Sequence, residues 1–368
     1  MRFLINASNI HAGGGLQVTD SLCTLLDQYK DHFFLIILSS FFQTTKQKLT
    51  SAENIMVLTY DIEKNFLSFW GVNKYLDSLV ANYKIDAALT VFGPSYWKPK
   101  CPHLCGMARP HLVLPDSPYF QRVAILDKFK YALWKYFFKQ CSSYFYTENS
   151  FISNRLSTLM GNKKKVYTVT NYYHQIYDCP EKWVKTINLP PFNGTTIITI
   201  SSSNPHKNFP IMADIISIMK DIHPKFRFRF VLTQQREKCP FVDDDIENYF
   251  VFIGKVDVRC CPHLYKQSDI MFQPSLLECF SATYPEAMRM EVPIVTTDLE
   301  FAKGLCGDAA CYYSAVDAKA AAEAIYRVAT DKTYASQLID NGKKQLLTYD
   351  NYEQRANKLI GLLEDLAK

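Results

Sequence analysis

Two glutamates, Glu278 and Glu286, frame the stretch ECFSATYPE at residues 278–286, eight positions apart. Eight residues of one helix turn through about 800°, so the two carboxylates would not share a helical face. Pro285 suits the first turn of a helix, which predicts that Glu286 opens a helix and Glu278 lies in the loop before it. Upstream, DIMFQPS (269–275) reads as a buried strand. The unit is then strand, loop, helix, and the free N–H groups at the helix start would face a ligand in the loop. An anion on those amides, with a carboxylate on each side to accept hydroxyls, describes a sugar nucleotide.

Two further loops carry candidate chemistry. SSSNPHKN (201–208) follows a strand and presents Lys207, whose ammonium could neutralise a diphosphate leaving group. Read alone, Lys207 is more simply a solvated loop lysine, the usual fate of lysine. HAGGGLQ (11–17) sets Gly13, Gly14 and Gly15 after the first strand, where glycines permit close backbone approach to a phosphate or sugar. The pattern is not G-x-G-x-x-G, and the second strand ends in Ser39 and Ser40 rather than an acid for a ribose. That disfavours a dinucleotide-dependent dehydrogenase and leaves a bare strand-to-helix turn as the other reading.

These loops need a scaffold, and strands alternate with helices along the whole chain. RFLINAS (2–8), FFLIILSS, IMVLTY, IDAALTVFG, HLCGMA and SSYFYTENS form one series, with a helix expected over 16–29. A second runs from TTIITISSS (195–203) through FRFRFVLT, FVFIG, SDIMFQP, PIVTTD and ACYY, the last before a helix at 317–329. Such alternation predicts an α/β protein of two facing, doubly wound parallel sheets with a ligand cleft between them at the strand C-termini. The expected division is an acceptor-side domain at 1–172, a linker rich in proline at 173–194, a donor-binding domain at 195–345, and a C-terminal helix at 346–368 packing back toward the first domain.

A chain of 368 residues, 48% hydrophobic and 21% charged, has the size and composition of two globular cores. No run of about 18 apolar residues is present, and MRFLINASNI makes a poor signal peptide. The eleven cysteines, without framework spacing, fit reduced thiols in a cytoplasm. Neither CPHLC (101–105) nor Cys260-Cys261 has a second Cys/His pair at zinc spacing, so no metal is expected. The net charge of +5 is uneven: residues 1–190 hold 21 Lys and Arg against 13 Asp and Glu, and residues 191–368 hold 20 against 23. The basic first half points to an acidic partner surface.

Together these pieces resemble the retaining glycosyltransferases of the GT-B type, in the family of glycosyltransferases group 1. The resemblance covers nearly the whole chain. It is strongest in FIGKV, LYKQSDIMFQPSLLECFSATYPEAMRMEVPIVTTD and GDAACYYSAVDAKAAAEAI, with Glu-x7-Glu its most telling motif. It implies that Glu286 binds the donor ribose and that Glu278 lies beside the transferred sugar. Phe280 and Ser281 would offer backbone amides to the diphosphate, and Lys207 would bind phosphate. Gly254 and Val256 would lie beside the base, with Gly13–Gly15 closing on the donor.

There are departures from the family. The arginine usual five residues before the lysine is Ser202 here, so one of two cations is missing. The glycine that often ends the helix after the second acid is Glu291. The glycine pair often found after VTTD is Glu300-Phe301.

The implied reaction moves a hexose-type sugar from a nucleoside-diphosphate sugar to a glycan or lipid-linked acceptor, with retention and without cofactor. Surface polysaccharide assembly (lipopolysaccharide or capsule) is the expected setting, in the cytoplasm or peripherally on the cytoplasmic face of the plasma membrane. Arg109 and His111, in GMARPHLVLPDS (106–117), are acceptor-side candidates. KFKYALWKYFFK (128–139) interleaves Lys128, Lys130, Lys135 and Lys139 with aromatics. It reads either as a segment for an anionic membrane surface or as an ordinary amphipathic helix. Nothing else suggests nucleic acid. Two other functions stay open: a non-catalytic subunit binding glycan or nucleotide, and a sugar-nucleotide epimerase of the same architecture.

Overall fold

A computed structural model describes residues 1–11, 13–49, 52–63, 66–122, 125–161 and 163–368. The chain divides into two compact units. The first comprises Met1–Pro115, Val123–Asn171 and Asp350–Lys368, and the second comprises Asp116–Arg122 and Tyr172–Tyr349.

The first unit is built on a seven-stranded parallel sheet of β1 (Arg2–Ala7), β2 (Phe33–Leu38), β3 (Ile55–Thr59), β4 (Ala87–Thr90), β5 (His103–Gly106), β6 (Tyr144–Thr147) and β7 (Lys165–Thr168), in the order β3-β2-β1-β4-β5-β6-β7. Its central strands are near-continuous apolar runs, as expected of strands covered on both faces. Phe3, Ile5, Phe34, Ile36 and Leu89 share one core with Ala356, Leu359, Ile360 and Leu363 of the helix Tyr352–Ala367. That last helix starts on a capping box: Asn351 accepts from the Gln354 backbone N–H, and the Gln354 amide oxygen accepts from the Asn351 N–H. Its Arg355 pairs with the buried Glu148 at 3.0 Å.

The second unit holds six parallel strands: β8 (Thr195–Thr199), β9 (Phe228–Leu232), β10 (Phe250–Phe252), β11 (Ile270–Gln273), β12 (Ile294–Thr297) and β13 (Ala310–Tyr313), in the order β10-β9-β8-β11-β12-β13. The apolar face of the helix Ile211–Ile222 presents Ile211, Met212, Ile215, Ile216 and Met219 to this sheet. Ala321, Ala322 and Ile325 of the helix Ala318–Thr330 join the same core. In each sheet the strand order reverses beside the first strand, between β1 and β4 and between β8 and β11. A reversal of this kind leaves a crevice at the carboxyl ends of the two strands, the usual ligand site of an open α/β sheet.

Several local expectations are corrected. The 16–29 helix is shorter, Gly14–Cys23, and gives way to a 3₁₀ turn at Leu26–Gln28. β7 is an added edge strand, overlooked because Lys163 and Lys164 precede its short KVYT core, which itself opens on a lysine. Residues 116–122 pack with the second unit, where the Ser117 hydroxyl donates to the Leu276 carbonyl. The 173–194 stretch also belongs there and carries two 3₁₀ turns, Gln175–Asp178 and Pro180–Lys182.

Candidate active site

The loops at the β8/β11 crevice carry Lys207, Glu278, Phe280 and Ser281 of the residues singled out in the sequence. β8 runs into the loop that ends in a 3₁₀ turn, Pro205–Lys207, closed by Asn208 in the left-handed region (φ 54°). β11 runs into the 274–282 loop, pinned to the first by a hydrogen bond from the Leu276 N–H to the His206 carbonyl, 2.8 Å. Lys207 and Glu278 are 71 positions apart in sequence, and the ammonium of Lys207 donates directly to Glu278 Oε1. Both side chains are largely buried. Taking the two charges from water costs several kcal/mol apiece, which only close pairing and added hydrogen bonds offset.

Gln273, the last residue of β11, supplies one such bond and was not singled out in the sequence. Its Nε2 lies 2.9 Å from Ser275 Oγ and 3.5 Å from both Glu278 Oε1 and Ser281 Oγ. Its Oε1 is buried with no hydrogen-bond partner among the described residues. A polar residue closing the apolar run DIMF was the available signal. His206 adds no second cation in place of Ser202: burial lowers it below the ordinary histidine range, Lys207 pushes the same way, and Glu278 opposes. Ser202 itself is exposed and accepts from Asn204 Nδ2 at 2.9 Å.

Glu286 lies elsewhere in the same unit. The helix runs over Thr283–Arg289, so Glu286 sits in its first turn and does not open it. Pro285 is accommodated there because an N–H in that turn has no helical acceptor. The Glu286 carboxylate accepts from the Tyr265 hydroxyl at 3.3 Å. The Tyr177 hydroxyl is beside it but outside hydrogen-bonding geometry, buried and without a partner among the described residues. Burial pushes the Glu286 carboxyl up to about 7, and the two tyrosines and His174 offset only part of that push. Neither tyrosine was foreseen. Tyr177 stands in a stretch read as linker, and Tyr265 is one aromatic among many.

The helix ends with Glu291 at φ 59°, the left-handed cap that glycine usually occupies. Phe280 and Ser281 precede the helix, and the Ser281 hydroxyl lies 2.9 Å from that of Thr283. Gly254 (φ 71°) and Val256 follow β10, two strands from β8 at the same end of the sheet. Adjacent strands are about 4.8 Å apart, which puts the β10 and β8 loop roots roughly 10 Å from each other.

The remaining candidates belong to the first unit. Gly13 caps the helix Gly14–Cys23 at φ 69°, ψ −155°, a conformation only glycine adopts without strain. A Cβ added at Gly13 or Gly14 would meet, apart from its chain neighbours and its own helix backbone, no atom of the described residues within 4 Å. The Arg109 guanidinium lies 4.2 Å from the centre of the Trp134 ring, and the His111 ring lies 4.7 Å from that of Tyr131. Both therefore join the helix Ile125–Cys141. All eleven cysteines are free. Among the described residues no three His, Cys, Asp or Glu side chains converge as a metal site.

Residues 185–345, the span holding Lys207, Glu278 and Glu286, match the family described as Glycosyl transferases group 1. No curated protein matches the chain by sequence. Among solved structures, a glycosyltransferase from Rickettsia africae aligns over 100% of this chain and 98% of its own, with 14% identity and a TM-score of 0.71. Alr3699/HepE of Anabaena, in complex with UDP and glucose, aligns over 99% of both chains with 14% identity and a TM-score of 0.69. A sucrose-phosphate synthase from Thermosynechococcus elongatus aligns over 99% and 98%, with 13% identity and a TM-score of 0.67. The chain therefore has the GT-B glycosyltransferase fold, and its second unit carries the pattern of glycosyl transferases group 1.

Proposed function

We propose that this protein is a retaining glycosyltransferase that moves a hexose-type sugar from a nucleoside-diphosphate sugar to a glycan or lipid-linked acceptor, in the assembly of a surface polysaccharide. The observation that carries the reading is the Lys207–Glu278 pair at the β8/β11 strand reversal. A largely buried lysine paired with a carboxylate can exchange that partner for a diphosphate. The released carboxylate is then free to accept sugar hydroxyls. Alr3699/HepE, of the same fold, has been solved with UDP-glucose, which supports a sugar nucleotide as the donor class.

On this reading Lys207 stabilises the charge that develops on the departing diphosphate. The Phe280 and Ser281 amides serve the same oxygens, and Glu286 accepts from the ribose. The acceptor hydroxyl attacks from the face the diphosphate leaves, and a leaving oxygen takes its proton. Glu278, released by Lys207 and still within reach of Gln273, orients the sugar and forms no covalent intermediate. Gly13–Gly15 and the Arg109/His111 region are assigned to the donor edge and the acceptor side. No metal is required where a lysine and fixed amides carry the phosphate charge.

A screen of nucleotide sugars for thermal stabilisation, followed by turnover with and without added acceptors, tests the reading. Stabilisation by one donor and acceptor-dependent turnover are expected. Turnover without acceptor would instead mark an epimerase, and binding without turnover a partner subunit.

A further inference from the structure

The helix Ile125–Cys141 is apolar on two opposite sides. One side packs inward: Phe138 and Cys141 are buried, and Trp134 lies beneath Arg109 and Lys130, at 4.2 and 5.0 Å. The other side faces solvent and is made of large hydrophobic residues. Ile125 is 83% exposed, Leu126 85%, Phe129 76% and Leu133 40%. At about 100° per residue these four fall within one stripe roughly 100° wide. Lys128, Lys135 and Lys139 line one border of the stripe, and Lys130 lines the other.

Cationic character continues past the helix. The Lys164 ammonium donates to the Lys139 and Ser142 carbonyls at the helix C-terminus. Leu67, Trp70 and Val72 add exposed apolar area on the same unit. They connect to the helix through residues 96–98: the Lys98 N–H donates to the Gly71 carbonyl at 2.8 Å, and Tyr96 meets the Phe137 ring at 5.1 Å.

We propose that the solvent face of the 125–141 helix docks on an anionic bilayer. The stripe Ile125, Leu126, Phe129 and Leu133 enters the headgroup–acyl boundary, and the bordering lysines meet lipid phosphates. An apolar face with lysines on both borders is the arrangement of a helix lying in the plane of a membrane surface. No helix among the described residues is long and apolar enough to cross a membrane, so the contact is peripheral. Charge selects this occupant over a second copy of the chain. A two-fold contact would set each lysine border against another, whereas an anionic surface neutralises both. The sequence placed this role at 128–139 and on its aromatics. In the fold most of those aromatics face inward, and the inserting set begins earlier, at Ile125.

The test is co-sedimentation of the full chain with vesicles of phosphatidylcholine alone and vesicles mixed with phosphatidylglycerol, at low and high salt. It needs no sugar transfer, so it stands or falls apart from the proposed activity. The wild type is expected to sediment with the anionic vesicles and to be released by salt. Leu126→Glu/Phe129→Glu and, separately, Lys128→Gln/Lys130→Gln/Lys135→Gln/Lys139→Gln should each weaken partitioning at least roughly tenfold. All changed side chains except Lys135 are exposed, so melting temperatures should stay near wild type. Absence of binding to anionic vesicles at low salt overturns the proposal. So does equal binding by either variant, or binding that ignores vesicle charge. A doubled mass in solution that Phe129→Glu abolishes would assign the face to a second copy instead.

Discussion

The two sheets reverse strand order at equivalent places, and the two crevices are filled by opposite chemistry. Between β1 and β4 the filling is neutral. Asn6, fully buried, donates to Thr90 Oγ1 at 3.3 Å and accepts from both the backbone N–H and the hydroxyl of Ser8. Asn9 Nδ2 donates to the Phe92 and Pro94 carbonyls at 2.7 and 3.0 Å, tying the loops after β1 and β4 to each other. Between β8 and β11 the filling is an ion pair beside a glutamine with an unpartnered oxygen. The neutral network leaves Asn9 Oδ1 buried without a partner among the described residues, and its other bonds hold backbone in place. A buried lysine and carboxylate that satisfy each other, with one long bond from Gln273, can rearrange when a charged ligand arrives. The same topology thus yields a scaffold at one reversal and a candidate reaction centre at the other.

The sharpest way to break this comparison is at Lys207. Lys207→Ala should lower kcat by about a hundredfold or more on the donor found by screening. It also strands a buried carboxylate, so stability should fall. Lys207→Met combined with Glu278→Gln removes both charges, and denaturant melts should then recover much of the loss while turnover stays low. A Lys207 variant with wild-type turnover would remove the charged crevice from the chemistry.

Asn6→Ala makes the converse test. It strips the buried Ser8 groups of their acceptor and should cost about 1–3 kcal/mol in urea unfolding. Nucleoside-diphosphate affinity should stay unchanged, since Asn6 is placed in the scaffold. Loss of affinity with intact stability would invert the assignment of the two crevices.

Glu286 sharpens the contrast through pH. Burial raises its carboxyl from the ordinary 4.5 to about 7, so between those values the folded state binds the extra proton. Stability therefore falls as pH rises across that window. Glu148, in the first unit, is likewise raised to about 7 by burial, against the pull of Arg355. Glu286→Gln should flatten part of the slope and leave the share due to Glu148, as read from urea midpoints at about pH 5 and about pH 8. An unchanged slope would mean that Glu286 is ionised throughout.

Much of this was legible in the chain. Alternating apolar runs announced both sheets, and glycine at 13 and proline at 285 each marked the backbone feature later found. What stayed hidden depends on contacts between distant residues. Lys207 and Glu278 meet only because β8 pairs with β11. Gln273, Tyr177 and Tyr265 became site residues through neighbours that no local pattern encodes. The 125–141 helix shows a related limit. Its composition announced more apolar surface than one face can bury, but which side turns outward was set by packing of Phe138 and Cys141 on the sheet.

Glu291 gives the smallest expected effect. Its left-handed cap stands where the family often has glycine, and the ion pair with Lys343 at 3.1 Å is exposed. Glu291→Gly should stabilise the second unit by about 0.5–1 kcal/mol in urea, with turnover unaltered. Destabilisation would show that the Lys343 contact outweighs the backbone strain.

The central claim is that the β8/β11 crevice binds the diphosphate of a sugar nucleotide. Calorimetric titration of the full chain with nucleoside diphosphates, repeated on Lys207→Ala, Glu286→Ala and Asn6→Ala, tests it most directly. The account predicts that one diphosphate binds, that Lys207→Ala and Glu286→Ala each weaken it by about tenfold or more, and that Asn6→Ala leaves it unchanged. Equal affinity across all four proteins, or no binding of any nucleoside diphosphate to the wild type, would contradict it.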